Sequence, residues 1–250
     1  SGAPNTPSAH FGRQVWGHPL YSWKKEKSKL LALWKLRIRY LASLFDYVRL
    51  DHAKAFFRYG VIDMSNKKHD LWGKGPGETF FTELISFARE QGTHVFVEDS
   101  GDHVRELRAV SERVHVSGMS LFRFGYDEKF DVLNHRYAEV KAYPKERVAY
   151  STTHDTETLL DYLHLLTATQ KQKLAKGSHI AYQADDKLFA QEIIRALISS
   201  PADMVIIPIQ DWLLLTDRIN VPGTEKAVGD TNWQFRLPFP IEELPLSFIT

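Results

Sequence analysis

The run Tyr47-Val48-Arg49-Leu50 reads as a short strand, and it delivers Asp51 and His52 at its carboxyl end. The same arrangement recurs on either side of it. Upstream, Trp23 to Leu44 carries Leu30, Leu33, Trp34, Ile38 and Leu41 at three- and four-residue spacing, the pattern of an amphipathic helix. Downstream, Gly77 to Gln91 reads as a helix with Phe80, Leu84, Phe87 and Ala88 on one face and Gly92 as its stop. His94 to Val97 is the next strand, with Glu98 and Asp99 at its carboxyl end. Asp102 to Val114 reads as a helix and Met119 to Phe124 as a strand. Arg147 to Ser151 is a strand ending near His154 and Asp155, and two or three helices fill Glu157 to Ser199. Met204 to Pro208 is an apolar strand ending near Gln210 and Asp211.

Strands separated by helices predict an α/β fold, a mainly parallel sheet with helices packed outside it. Polar residues follow nearly every strand, at the end where α/β barrels and open α/β sheets place their active sites. Five such strands are counted, against eight in a closed barrel. The expectation is a TIM (β/α)8-type barrel of which about five βα units lie in this chain.

Composition narrows the function. The 250 residues are 43% hydrophobic and 25% charged, enough to bury a sizeable core. A net charge of +1 gives no electrostatic reason to expect nucleic acid or an anionic membrane surface as partner. No apolar run reaches the length of a membrane span. Cysteine is absent, which removes disulfides, thiolate nucleophiles and cysteine metal sites, and a cytoplasmic setting is expected. Ser1 to His10 is small and polar, unlike a signal peptide, and a first residue other than Met reads as a cut or tagged start. Neither a dinucleotide fingerprint nor a phosphate loop nor a nucleophile elbow is present. The glycine-rich stretch Gly73 to Gly77 reads as a flexible loop.

The chemistry rests on acids. Asp51, Glu98 with Asp99, and Asp155 all stand at strand ends, and in a barrel such residues converge although distant in sequence. Paired carboxylates suit glycosidic chemistry, one as nucleophile and one as acid and base, with a third able to stabilise the positive sugar ring. The plainer alternatives are helix caps for Asp102 and Asp155 and a solvated loop acid for Asp99. His52 and His154 lie beside their acids; without HExxH spacing or a further cluster they read as donors to sugar hydroxyls rather than metal ligands. Arg49, on the same side of its strand as Asp51, would hold that carboxylate ionised and oriented, or form a structural ion pair.

These strings resemble those of family seventy-seven of the glycoside hydrolases, the amylomaltases or 4-α-glucanotransferases. Arg49-Leu50-Asp51-His52, Glu98-Asp99 with Gly101, and Thr153-His154-Asp155 are similar to its three acid motifs. Trp16-Gly17-His18-Pro19-Leu20-Tyr21, Pro208-Ile209-Gln210-Asp211, Arg218 to Thr224 and Asn232 to Arg236 are similar to further family strings, in the family's order. The resemblance implies Asp51 as nucleophile, Glu98 as general acid/base and Asp155 as transition-state stabiliser. It implies that Arg49, His52, His154, Asn220, Pro222, Trp16 and Tyr21 line the substrate site, with residues 1–23 as a substrate-site loop segment. It further implies α-1,4-glucans and maltooligosaccharides as partners, double displacement with retention, and no cofactor or metal.

There are departures. Ala53, Lys54 and Ala55 stand where the family commonly has phenylalanine, arginine and glycine, and Ser100 replaces a usual leucine. Thr156-Glu157 replaces asparagine-aspartate, Leu214 a glycine and His18 an asparagine. None removes an acid. Members of the family are longer, so residues 1–250 read as the C-terminal portion of the catalytic barrel, completed by a missing N-terminal segment or by self-association. A retaining α-glucan hydrolase of the same clan, a catalytically silent glucan-binding fragment and a metal-dependent hydrolase are the competing readings.

Overall fold

The computed structural model describes residues 1–4, 12–224 and 232–244; residues 5–11 of the 1–23 loop segment lie outside the described residues. The chain divides into two compact units, Ser1–Met119 and Ser120–Thr250.

In the first unit, β1 (Gly2–Ala3) and β2 (Gln14–Val15) pair antiparallel, and α1 (Trp23–Ala42) leads to β3 (Tyr47–Leu50). β4 (Arg58–Val61) and β5 (Leu71–Lys74) extend the first pair into an antiparallel sheet in the order β2-β1-β4-β5. Then come α2 (Glu78–Glu90), β6 (His94–Val97) and α3 (Arg105–Arg113), and β7 (Met119–Leu121) begins at the last residue of the unit. β3 and β6 run parallel, with Leu50 opposite Val97.

The antiparallel sheet corrects two expectations. The chain is not mainly parallel throughout, and the stretch Gly73 to Gly77 is not simply a loop. Gly73 and Lys74 belong to β5 and pair with Tyr59 and Arg58. A strand ladder satisfies backbone groups whatever the side chains are, so it can order a glycine-rich stretch.

Helix periodicity was a better guide. α2 buries Phe80, Phe81, Leu84, Ile85 and Ala88. Gly92 ends it as expected, at φ 79°, with its N–H on the Arg89 carbonyl and that of Thr93 on Ala88. These two bonds form a Schellman motif, and the left-handed residue it needs costs a glycine little. α2 packs on a core that includes Ile38, Val48, Leu50, Phe56 and Val97. α1 contributes Ile38, with Leu30, Trp34 and Leu41 half-buried against that core. Leu33, expected on the buried face, is instead 38% exposed and heads a second apolar row with Leu36, Tyr40 and Leu44.

In the second unit, β8 (Tyr126–Asp127) and β9 (Val132–Leu133) form a hairpin, followed by α4 (His135–Ala138) and β10 (Val148–Tyr150). α5 (Leu159–Leu165), α6 (Ala168–Ser178) and α7 (Asp186–Ile198) are the helices expected between Glu157 and Ser199. α5 is capped by Thr158, α6 by a Thr167/Gln170 capping box and α7 by Asp185. β11 (Met204–Ile206) and α8 (Ile209–Trp212) complete the sequence of elements. The sheet order is β11-β10-β7, with β10 and β11 parallel and Tyr150 opposite Ile206. Phe122, Tyr162, Leu163, Phe189, Ile193 and Leu197 anchor the core of this unit.

Candidate active site

Parallel register places two of the acids. Leu50 lies opposite Val97, so the next residues, Asp51 and Glu98, leave adjacent strands at the same end. The Glu98 N–H donates to the Leu50 carbonyl at 3.1 Å, carrying the ladder one step past the strands. Arg49 Nη2 donates to Asp51 Oδ1 at 2.5 Å and stands 3.5 Å from Glu98 Oε2. The two carboxylate oxygens are therefore at most about 6 Å apart, the sum of those two legs.

Glu98 is held on both oxygens. Oε2 accepts the His52 backbone N–H at 2.8 Å, and Oε1 accepts the Ser100 hydroxyl at 3.2 Å. The first bond depends on His52 adopting a left-handed backbone, φ 46°, as the chain turns into the 3-10 segment Ala53–Phe56. Burial pushes the Glu98 carboxyl up, but the His52 amide and the charges of Arg49 and Lys54 outweigh it and hold the group below its ordinary pKa. Burial also pushes the His52 imidazole down to about 4, so that it is neutral near pH 7. Its Nε2 is buried without a hydrogen-bond partner, and its ring meets Trp16 edge-on at 4.8 Å.

Arg49, Asp51, His52, Glu98 and Trp16 are thus brought together in the first unit. Tyr21 is not among them. Its hydroxyl accepts from Arg37 Nη1 at 2.7 Å and its ring lies against Trp23, on the face of α1.

In the second unit the loop after β10 carries His154 and Asp155. Asp155 Oδ1 accepts from Asn220 Nδ2 at 2.6 Å, and His154 Nε2 stands 3.1 Å from Oδ2. The Asn220 N–H donates to the His154 carbonyl at 3.0 Å, so main chain and side chain of Asn220 hold neighbouring residues. Asn220 is 6% exposed and its Oδ1 is buried without a partner, an acceptor facing no protein donor. Pro222 and Gly223 are the central residues of a turn closed by Thr224 N–H on the Val221 carbonyl, with Gly223 at φ 91°. Trp233 lies 5.2 Å from the His154 ring.

Three structural alternatives for the acids are corrected. Asp99 is 2% exposed, not solvated: its Oδ1 accepts the Met119 N–H at 2.9 Å and its Oδ2 pairs with Arg108. Neither Asp102 nor Asp155 caps a helix, because Val104 and Thr158 hold those positions.

The geometry adds groups that strand-end reasoning did not weigh. Asp211 is fully buried; Oδ2 accepts the hydroxyls of Ser151 (2.5 Å) and Thr152 (2.6 Å), and Oδ1 accepts the Leu159 N–H (2.7 Å). One carboxylate thus ties both limbs of the loop that presents Asp155. Glu157 joins Arg123 and Arg218, and Arg218 Nη2 reaches the Asp155 carbonyl at 3.1 Å. The available signal for Asp211 was an acid close after the apolar run Met204 to Pro208. Among the described residues, no group of three or more His, Asp and Glu side chains could hold a metal ion. None of the described helices is long and apolar enough to cross a membrane.

The protein family described as 4-alpha-glucanotransferase matches residues 2–242. The chain belongs to that family. Similar members include the chloroplastic/amyloplastic 4-alpha-glucanotransferase of Arabidopsis thaliana, 32% identical over 95% of this chain and 40% of its own length. The 4-alpha-glucanotransferase of Aquifex aeolicus is 28% identical over 90% of this chain and 44% of its own. In structure, amylomaltase from Streptococcus agalactiae, solved in complex with acarbose, superposes with a TM-score of 0.79 at 25% identity, over 99% of this chain and 48% of the other. Amylomaltase from Corynebacterium glutamicum superposes with a TM-score of 0.68 at 17% identity, over 93% of this chain and 37% of the other, a likeness of fold. The chain therefore spans less than half the length of these 4-alpha-glucanotransferases.

Proposed function

We propose that this chain carries the catalytic acids of a retaining 4-alpha-glucanotransferase, which moves α-1,4-glucan segments between maltooligosaccharides. The observation that carries this reading is the single Arg49 nitrogen between Asp51 and Glu98, 2.5 Å from one and 3.5 Å from the other. Membership of the 4-alpha-glucanotransferases supports the substrate class.

In the first step a carboxylate oxygen of Asp51 bonds to the anomeric carbon as the bond from that carbon to the leaving oxygen breaks. The Glu98 proton passes to that oxygen. In the second step the 4-hydroxyl oxygen of another glucan bonds to the anomeric carbon, its proton passes to Glu98, and the bond to Asp51 breaks. Arg49 couples the two steps. While Asp51 is ionised it shares the guanidinium charge; once Asp51 is esterified that charge acts on Glu98 alone and favours its base form. A sugar covering Glu98 strips water from it and favours its acid form, in the same direction as the burial it already feels. In this reading Asp155 stabilises the oxocarbenium-like transition state. Asn220 orients that acid, and His52, His154, Trp16 and Pro222 line the sugar path.

The chain is read as the C-terminal portion of a TIM barrel, about five βα units, with residues 1–23 as a substrate-site loop. Among the described residues β6 is the ladder partner of β3, which leaves the other edge of β3 open. The exposed row of Leu36 and Tyr40 on α1 and Leu44 just beyond it is the other feature that calls for a covering partner, a preceding segment or a second copy. A cytoplasmic setting is proposed from the cysteine-free composition. The plant relatives, whose names place them in chloroplasts and amyloplasts, supply the competing address.

The test is incubation with maltotriose, resolving products by length. The expected outcome is a ladder of longer maltooligosaccharides plus glucose, lost in Asp51→Asn. Glucose and maltose alone would indicate the hydrolase of the same clan. No products, even with the preceding barrel strands supplied as a second polypeptide, would overturn the reading.

A further inference from the structure

Lys54 stands out in the first unit as a half-buried cation that no resemblance assigns to the site. It lies in the 3-10 segment Ala53–Phe56, two residues beyond the His52 amide that holds Glu98. Its side chain returns to the turn that follows Glu98: a Cβ built on Gly101 would lie 3.2 Å from Lys54 Nζ. Gly101 has φ +76°, a conformation that suits glycine, and the missing side chain leaves the space that the ammonium fills. Two segments thus meet at this charge, one from β3 and one from β6. In the position where the family commonly has arginine, this chain has a compact, titratable point charge.

We propose that Lys54 is the positioning residue for Glu98: its ammonium, seated against the Glu98–Gly101 turn, keeps the acid/base group ionised in the free protein. The proposal rests on Glu98 being the acid/base group, as read above. Glu98 is faced by Arg49, at 3.5 Å, by the adjacent Asp51 carboxylate that shares Arg49, by the His52 amide and ring, and by the Ser100 hydroxyl. Asp102, beyond Gly101, is the other acid that acts on Lys54. Arg49 is divided between two carboxylates, whereas among the described residues Lys54 forms no ion pair within 4 Å. Its charge is therefore shared between Glu98 and Asp102. Burial pushes the Lys54 ammonium down while Glu98 and Asp102 oppose that change, the mutual dependence expected of neighbouring charges.

The deciding experiment titrates Glu98 directly by NMR in protein labelled with 13C at the glutamate carboxyls, the resonance being assigned with Glu98→Gln. In Lys54→Met the midpoint of Glu98 is expected to rise by roughly one pH unit, a tenfold change in acidity constant, while Lys54→Arg keeps it at the wild-type position. Lys54→Gln, which leaves a polar tip at this half-buried place, gives the same upward shift and serves if the Met variant does not fold. An unchanged midpoint in a folded Lys54→Met or Lys54→Gln protein overturns the proposal, as does an equal rise in Lys54→Arg. The titration needs no turnover. A failed maltotriose assay beside a shifted midpoint would therefore count against the proposed function and not against the coupling of Lys54 to Glu98.

Discussion

Glu98→Gln is expected to lower transfer from maltotriose by about 10²–10⁴-fold, the range that general acid–base catalysis contributes. The amide keeps the shape of the side chain and can still accept the His52 N–H, now made by Glu98 Oε2 at 2.8 Å. What it loses is the proton for the leaving oxygen and the base for the incoming hydroxyl. The defect therefore depends on the substrate. With α-glucosyl fluoride as donor, fluoride leaves without protonation, and the first step should survive. With azide as acceptor no proton has to be removed, and the second step should be restored. An Asp51→Asn protein should be rescued by neither. Near-wild-type transfer by Glu98→Gln would show that another group handles the proton.

The second large effect is on stability. Phe81→Ala should destabilise the first unit by about 3–5 kcal/mol, the cost of truncating a buried aromatic ring and leaving a cavity. Phe81 is 0% exposed on the inner face of α2, and its ring touches Phe56 and Phe57 at 5.7 Å each. Those two residues follow directly from the His52 turn, so the packing of α2 bears on the segment that holds Glu98. Urea unfolding, followed by the intrinsic fluorescence of the tryptophans, measures the loss. A loss below about 1 kcal/mol would mean that the site collapses readily around the missing ring.

How far the sequence could be read depended on the kind of signal. The five strands and the helices between them carry their own patterns, and Tyr47–Leu50 and His94–Val97 lie where the patterns put them. Gly92 marked the stop of α2 because glycine takes the left-handed conformation there at little cost. The sheet of β1, β2, β4 and β5 was not legible. Its strands are two to four residues long, too short for alternation to show, and Gly60 and Gly73 dilute their composition. The outer row of α1 was half legible: Leu33 continues a helical face, and only the packing shows that this face is not the buried one.

The site divides in the same way. The pairing of Asp51 with Glu98 could be anticipated, since acids at equivalent ends of parallel strands are brought side by side by register. Arg49 was legible from its two-residue offset, although its reach to Glu98 as well was not. Tyr21, carried over by resemblance, packs on α1, because resemblance transfers residue identity and not orientation. Asp99 shows the opposite error. Beside Glu98 it reads as a loop acid, yet its carboxylate is buried against the Met119 amide and Arg108. Asp211 holds Ser151, Thr152 and Leu159, all distant in sequence, and local pattern shows the acid but not those partners.

The most direct measurement is a trapping experiment. Glu98→Gln protein, in which the second step is slowed, is incubated with α-glucosyl fluoride, digested and mapped by mass spectrometry. The expected result is a gain of one glucosyl residue on the peptide that contains Asp51, absent when Asp51→Asn is added to the same protein. A glucosyl group on a different residue, or turnover of the fluoride with no covalent species and a new linkage of inverted configuration, would contradict Asp51 as the nucleophile.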